Sequence, residues 1–271
     1  MMATAQLSEM RDRLELILSI PTGDSYVDST SELDDIKEAY QATADLYNFP
    51  QLLVRYGIVL VADLDRYSLP ATLRKIRTVR LKGVKLTETE LEFLKYSSNR
   101  YVIDGQQADI IVMPIPTAAS VAFTITNSES AGSAVTIELN TVSGLSKYDE
   151  IFVKAASLTD EFSIVSAVGT LQITARLDSA KSASDIIYRV DEILDILGYR
   201  KVPVLSGSTD TLLLPDAFDF IICHYAAYLA YLRLEQFDRA KAQKEVWKER
   251  CLEAWSAYRQ NSTGLISEFI T

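Results

Sequence analysis

Apolar residues at Leu7, Met10, Leu14 and Ile17 step by three and four, the spacing that lines one face of an α-helix. They predict an amphipathic helix over residues 4–19 that stops before Pro21. Ser29 followed by Glu32 has the form of a capping box, and Leu33, Ile36, Tyr40, Ala44 and Tyr47 mark the face of a second helix that ends near Pro50. From Leu52 to Pro116 the period shortens to that of strands: Ile58 to Val61, a strand ending at Leu81, and Val84 to Leu86 beyond the turn residues Lys82 and Gly83. Thr87 and Glu90 read as a capping box that opens a short helix. Tyr101 to Ile103 and Ile110 to Val112 then face each other across Asp104-Gly105 as a hairpin.

Residues 117–183 are rich in Ser, Thr and Ala, with alternating stretches at Val121 to Thr126, Val135 to Leu139, Glu150 to Val153, Phe162 to Val165 and Leu171 to Ala175. Five strands at such even spacing imply a separate all-β barrel or sandwich. The next stretch supports two readings. The β-branched run from Ile186 to Val190 favours a strand, whereas Val190, Ile193, Leu194 and Leu197 ahead of Gly198 favour a helix with a glycine cap, and the helix is preferred.

The C-terminal third is helical, entered through Leu214-Pro215-Asp216. Phe218, Ile221, Ile222, Tyr225, Leu229 and Leu232 form one face, and Ala226, Ala227, Tyr228, Ala230 and Tyr231 leave little polar surface on the others. Such a helix has to be covered nearly all round. After a break at residues 236–238, a last helix sets Trp247, Cys251, Ala254 and Tyr258 opposite Lys244, Glu245, Lys248 and Glu249 and is half exposed. Residues 261–271 form a β-capable apolar strip, either a frayed end or a strand to be added to another subunit.

The fold class is therefore α+β: a helical bundle core of two N-terminal and two C-terminal helices, a small antiparallel sheet, and an inserted all-β barrel or sandwich. Residues 1–116 and 198–271 form the core, the latter with an arm at 261–271, and residues 117–197 form the insert.

Composition narrows the chemistry. The chain has 271 residues, 48% of them hydrophobic and 24% charged, which is ordinary for a folded protein. A net charge of −10 removes the surplus of Lys and Arg that binding to nucleic-acid phosphates requires. The local basic run of Arg74, Lys75, Arg77, Arg80, Lys82 and Lys85 alternates with Ile76, Val79 and Leu81 and reads as the wet face of a strand. No apolar run is long enough to span a membrane, and Met1 to Glu9 lacks the positive start of a signal peptide, so a soluble protein is expected.

Cys223 and Cys251 are far apart and without metal or redox spacing, as expected of reduced structural cysteines in a cytoplasmic setting. The single histidine, His224, lies in a dense apolar run and reads as buried and satisfied. Ten glycines supply no nucleotide-binding loop and no nucleophile elbow, and the carboxylate clusters lack the spacing of any motif. No catalytic residue, metal or cofactor is expected, and the chain is not read as an enzyme.

A family resemblance lies in the order of parts. Tyr67-Ser68-Leu69-Pro70 leads into the Ile76 to Leu86 hairpin, and Tyr101-Val102-Ile103-Asp104-Gly105 precedes Ile110 to Pro116. Tyr199-Arg200-Lys201-Val202-Pro203, Thr209-Asp210, Leu214 to Phe218 and Leu234 to Ala240 then follow. This series resembles the head-to-tail connector (adaptor) proteins of tailed bacteriophages, with residues 117–197 as the departure.

The resemblance implies a structural virion protein of the neck, assembled in the host cytoplasm. It would form a ring, usually of twelve copies, that docks under the portal protein and offers a platform to tail tube, nozzle, spike or fibre proteins. DNA would cross its channel without specific binding, and no membrane would be involved. Gly264, Leu265, Ile266, Phe269 and Ile270 would form the arm that grips the portal. Phe218, Ile222, Tyr225, Tyr228, Leu229 and Tyr231 would lie on a helix between subunits. A neck stopper or completion protein, and a ligand-binding module using the β-insert, are the alternatives.

Overall fold

The computed structural model describes residues 6–19, 29–96, 98–105, 108–156, 159–207 and 209–266. Among these described residues it is an α+β fold with four helices, α1 (Leu7–Leu18), α2 (Ser29–Leu46), α3 (Asp219–Arg233) and α4 (Phe237–Ile266). Thirteen strands complete the described part. They are β1 (Leu53–Ile58), β2 (Arg66–Ser68), β3 (Leu73–Leu81), β4 (Val84–Glu88), β5 (Arg100–Asp104), β6 (Asp109–Met113) and β7 (Ala122–Thr124). The remainder are β8 (Gly132–Glu138), β9 (Glu150–Lys154), β10 (Glu161–Val168), β11 (Gln172–Leu177), β12 (Ile186–Arg189) and β13 (Leu194–Arg200).

Two compact units emerge: residues 1–53 with 199–271, and residues 54–198. The first boundary lies at 53/54 where 116/117 was expected, and the second, at 198/199, is one residue from the expected 197/198. The small sheet belongs with the barrel, because β13, read from sequence as part of a helix, is hydrogen-bonded between β1 and β3.

In the helical unit, α3 packs on α1, α2 and α4. Leu7, Met10 and Leu14 of α1 and Ile36, Tyr40 and Ala44 of α2 are buried as their spacing predicts, together with Ile222, Ala226 and Ala230 of α3. Aromatic rings close one end of this core. Phe49 meets Phe218 edge-on at 4.9 Å, and Tyr47 stacks on Trp255 at 4.6 Å. Glu235, with φ 55°, makes the left-handed break between α3 and α4.

The second unit contains a mixed seven-stranded sheet of order β1-β13-β3-β4-β5-β6-β2. It is larger than the expected antiparallel sheet, and β4 pairs with β5 in parallel. Lys82 and Gly83 turn between β3 and β4 with φ of 49° and 77°, the left-handed pair that a tight hairpin demands. Thr87 lies within β4, so its apparent capping box does not cap the 3₁₀ segment that follows at Leu91–Tyr96. β5 and β6 pair as expected, Tyr101 opposite Val112, but are joined by residues 105–108 rather than by a two-residue turn.

The remaining six strands run β7-β12-β9-β10-β11-β8. Their ends meet: Ile125 bridges Leu139, with the Thr126 amide donating to the Glu138 carbonyl at 2.9 Å and the Asn140 amide to that of Thr124 at 3.0 Å. The sheet thus closes into a barrel. Its interior is filled by Phe123, Ile137, Ile151, Val165, Ile173 and Ile187, supplied by different strands.

The helix preferred over residues 186–197 is corrected to β12, a short 3₁₀ turn and β13. The three-and-four spacing there arose from residues serving different cores. Val190 and Ile193 pack with Phe152, while Leu194 and Ile196 point into the seven-stranded sheet's core.

Candidate interaction surfaces

The expected inter-subunit helix is α3, and it is already covered. Phe218, Ile222 and Tyr231 are buried in the helical unit's own core. Tyr225 and Tyr228 are half-buried against it, Tyr225 with its ring 4.5 Å from that of Trp247 on α4. Leu229 is also only partly exposed. Cover nearly all round is what so apolar a helix needs, and α1, α2 and α4 provide most of it within the chain. Phe220 of α3 is 42% exposed, and with the rims of Tyr225, Tyr228 and Leu229 it is what remains for a subunit contact.

The expected docking arm falls partly outside the described residues. The backbone is helical through Ile266, which places Gly264, Leu265 and Ile266 in the last turn of α4 where an extended strip was expected. Phe269 and Ile270 lie outside the described residues.

Side chains with chemical potential are held in quiet environments. Burial pushes the thiols of both Cys223 and Cys251 up to about 12, which keeps them protonated and poorly nucleophilic. His224 is buried, with Nδ1 bonded to Gln243 Oε1 at 2.7 Å and Nε2 without a hydrogen-bond partner. That burial lowers its pKa, favouring neutral imidazole. Asp35 on α2 contacts Arg233, yet burial raises its carboxyl to about 7, aided by Glu38, Asp34 and Glu32 and opposed by Arg233.

Sequence reading missed an ionic seam where the barrel meets the seven-stranded sheet. Arg55 on β1 donates through Nε to Asp195 on β13 at 2.7 Å, also contacts Glu150 on β9, and lies 4.3 Å from the Phe162 ring centre. Burial works against its charge, but its hydrogen bonds to Glu150 and Asp195 outweigh that and raise its pKa. Two adjoining cavities of about 280 and 260 Å³ share Arg80, Glu150 and Asp195. Nearby, Arg189 contacts Asp191 and lies 3.8 Å from Asp149. The opposite charges are largely matched within the protein, which makes the seam a clasp between sheets. With partners 95 and 140 residues from Arg55, no local motif could reveal it.

A second feature missed from sequence is an exposed apolar turn. Leu91 and Phe93 are 60% and 53% exposed, amid exposed Glu88, Glu90 and Glu92. The turn is anchored. Leu94 beneath it packs with Val102, Ile111 and Met113, and Arg100 donates to Thr89 Oγ1 at 3.1 Å. The signal was legible as two large apolar residues interleaved with glutamates, but the capping-box reading of Thr87 and Glu90 assigned the stretch to a short helix.

Among the described residues, no group of His, Cys, Asp or Glu is gathered as metal ligands, and no helix is long and apolar enough to cross a membrane. A search of curated proteins finds no match to the chain. The model of the SU10 adaptor protein family matches residues 5–264, a span that includes the stretch read from sequence as an insertion. With nearly its whole length matched, the chain belongs to the SU10 adaptor protein family and is a phage structural adaptor, which implies a place in the virion neck.

Proposed function

We propose that this protein is the head-to-tail adaptor of a phage neck, a non-enzymatic part that assembles as a ring on the portal and carries the tail. The family match over residues 5–264 carries this reading. Portal docking is assigned to the C-terminal arm, and because residues 264–266 end α4, contact through them uses a helix end rather than an added strand. The net charge of −10 supports a channel that lets DNA pass, since a basic lining would hold the genome by counterion release. The barrel is assigned to contact with tail components.

Light scattering of the purified protein with and without its portal protein tests the reading. A large complex that forms with portal supports it, and a lone monomer in both conditions rejects it. Removing residues 264–271 should leave circular dichroism unchanged and abolish portal capture; intact capture would rule out the arm.

A further inference from the structure

We propose that the acidic apolar turn bearing Leu91 and Phe93 in one copy seats on a basic apolar face of α3 and α4 in a second copy. The inference rests on the ring reading and names the surfaces that would join neighbours in it. On α3, the partly exposed Phe220 ring stands edge-on to that of the buried His224 at 5.0 Å. Arg250 of α4 lies over the same Phe220 ring, 5.5 Å from its centre. One side of α4 continues this face. Arg239, Gln243, Val246 and Arg250 step by four, three and four, which places them along a single edge of the helix. That edge borders α3, since Gln243 bonds to His224 and Arg239 lies 5.8 Å from the Tyr231 ring centre.

Arg239 and Arg250 are exposed and form no ion pair among the described residues. Asp219, the neighbour of Phe220, is buried and lies 3.7 Å from Arg13 of α1, and the exposed Glu249 and Glu253 pair with neither arginine. The turn offers the complement. Exposed Leu91 and Phe93 stand beside Glu90 and Glu92, which are also exposed and form no ion pair among the described residues. Each patch thus joins uncovered apolar surface to unneutralised charge, and the two charges are opposite in sign. The apolar residues supply buried area, and the glutamates, set against the two arginines, fix register and suppress wrong pairings. Unlike patches that meet head to tail repeat from copy to copy and close when the rotation allows. A second copy suits this face better than duplex DNA, whose phosphates would meet the arginines but offer nothing apolar to Phe220.

Charge reversal in the full-length chain tests the pairing. One variant carries Glu90→Lys and Glu92→Lys; the other carries Arg239→Glu and Arg250→Glu. Each alone should lose at least about tenfold in self-association by sedimentation velocity with portal present, and an equimolar mixture should recover it, since each reversed patch then meets its complement. Leu91→Ser with Phe93→Ser should weaken association without changing the circular dichroism spectrum.

Single variants that assemble like the unaltered protein, or a mixture that does not recover, would overturn the pairing and leave the adaptor reading standing. An unaltered chain that never assembles would sink both. Loss of portal capture, or of binding to a duplex DNA fragment, by Arg239→Glu/Arg250→Glu with self-association intact would overturn the pairing by assigning the α3–α4 face to that partner.

Discussion

The core of the helical unit joins residues 7–52 to residues 202–251, whereas the barrel core draws only on residues 123–187. The first is stitched from the two ends of the chain and closed by Tyr47, Phe49, Phe218 and Trp255. The second is local and, apart from Phe123, aliphatic. Loop closure must be paid before distant segments can pack, so the barrel can form from contiguous sequence while α1 and α2 await the chain beyond residue 199. Side-chain choice follows: large rings give the helical unit much burial from few contacts, and one β-branched or leucine residue per position suits a barrel whose interior is narrow.

The largest effect expected from a single change is in the helical unit. Phe49→Ala removes the ring that meets Tyr47, Phe218 and Trp255, and should cost about 3–5 kcal/mol in chemical unfolding. Amide exchange should rise in α2 and α3 and stay unchanged in β8 to β11; equal loss of protection in both would show that the units unfold as one.

In the barrel, the Lys181 side chain is fully buried, donating to the Thr159 carbonyl at 2.9 Å and lying 3.5 Å from Glu161. Lys181→Met leaves that carboxylate without its cation and should cost about 3 kcal/mol, and adding Glu161→Gln should return most of it. A double variant no more stable than the single would mean that Lys181 acts through its carbonyl contact.

A smaller effect is expected at the seam. A Cβ on Gly57 would lie 2.8 Å from the Phe152 ring, so Gly57→Ala should cost about 1–3 kcal/mol and lower the melting temperature of the β unit alone.

A further change is read against pH. Asp35 has a folded pKa of about 7 against an ordinary value of 3.8, so the folded state favours its protonated form. Its stabilisation is complete below about pH 4 and lost as pH rises through about 7. Asp35→Asn should flatten that slope in melts of the helical unit between pH 4 and 8, and an unchanged slope would point to another group.

The same contrast explains what could be read from sequence. Five of the six barrel strands were legible because alternation at Ile137, Ile151 and Ile173 reflects a single inward face. The helices were legible from spacing at Leu7, Met10 and Leu14. Residues 190–197 misled because their apolar side chains divide between two cores, and a pattern with two destinations imitates a helical period. The cover over α3 was hidden for a related reason: sequence shows that a helix must be enclosed, not whether its own chain or a neighbour does so. The Arg55 clasp depends on pairings that only the folded sheets create.

One consequence follows from the bridge between Ile125 and Leu139 that joins the barrel's first and last neighbours. Hydrogen bonds between the sheet's ends shorten the row of peptide groups on which a foreign strand could add, which disfavours extension of the sheet and edge-to-edge fusion of two barrels. Contacts with this part of the protein are then left chiefly to outward side chains and connecting loops. Recognition there can change by substitution without reopening the fold, and many copies can stand close together without the barrels polymerising.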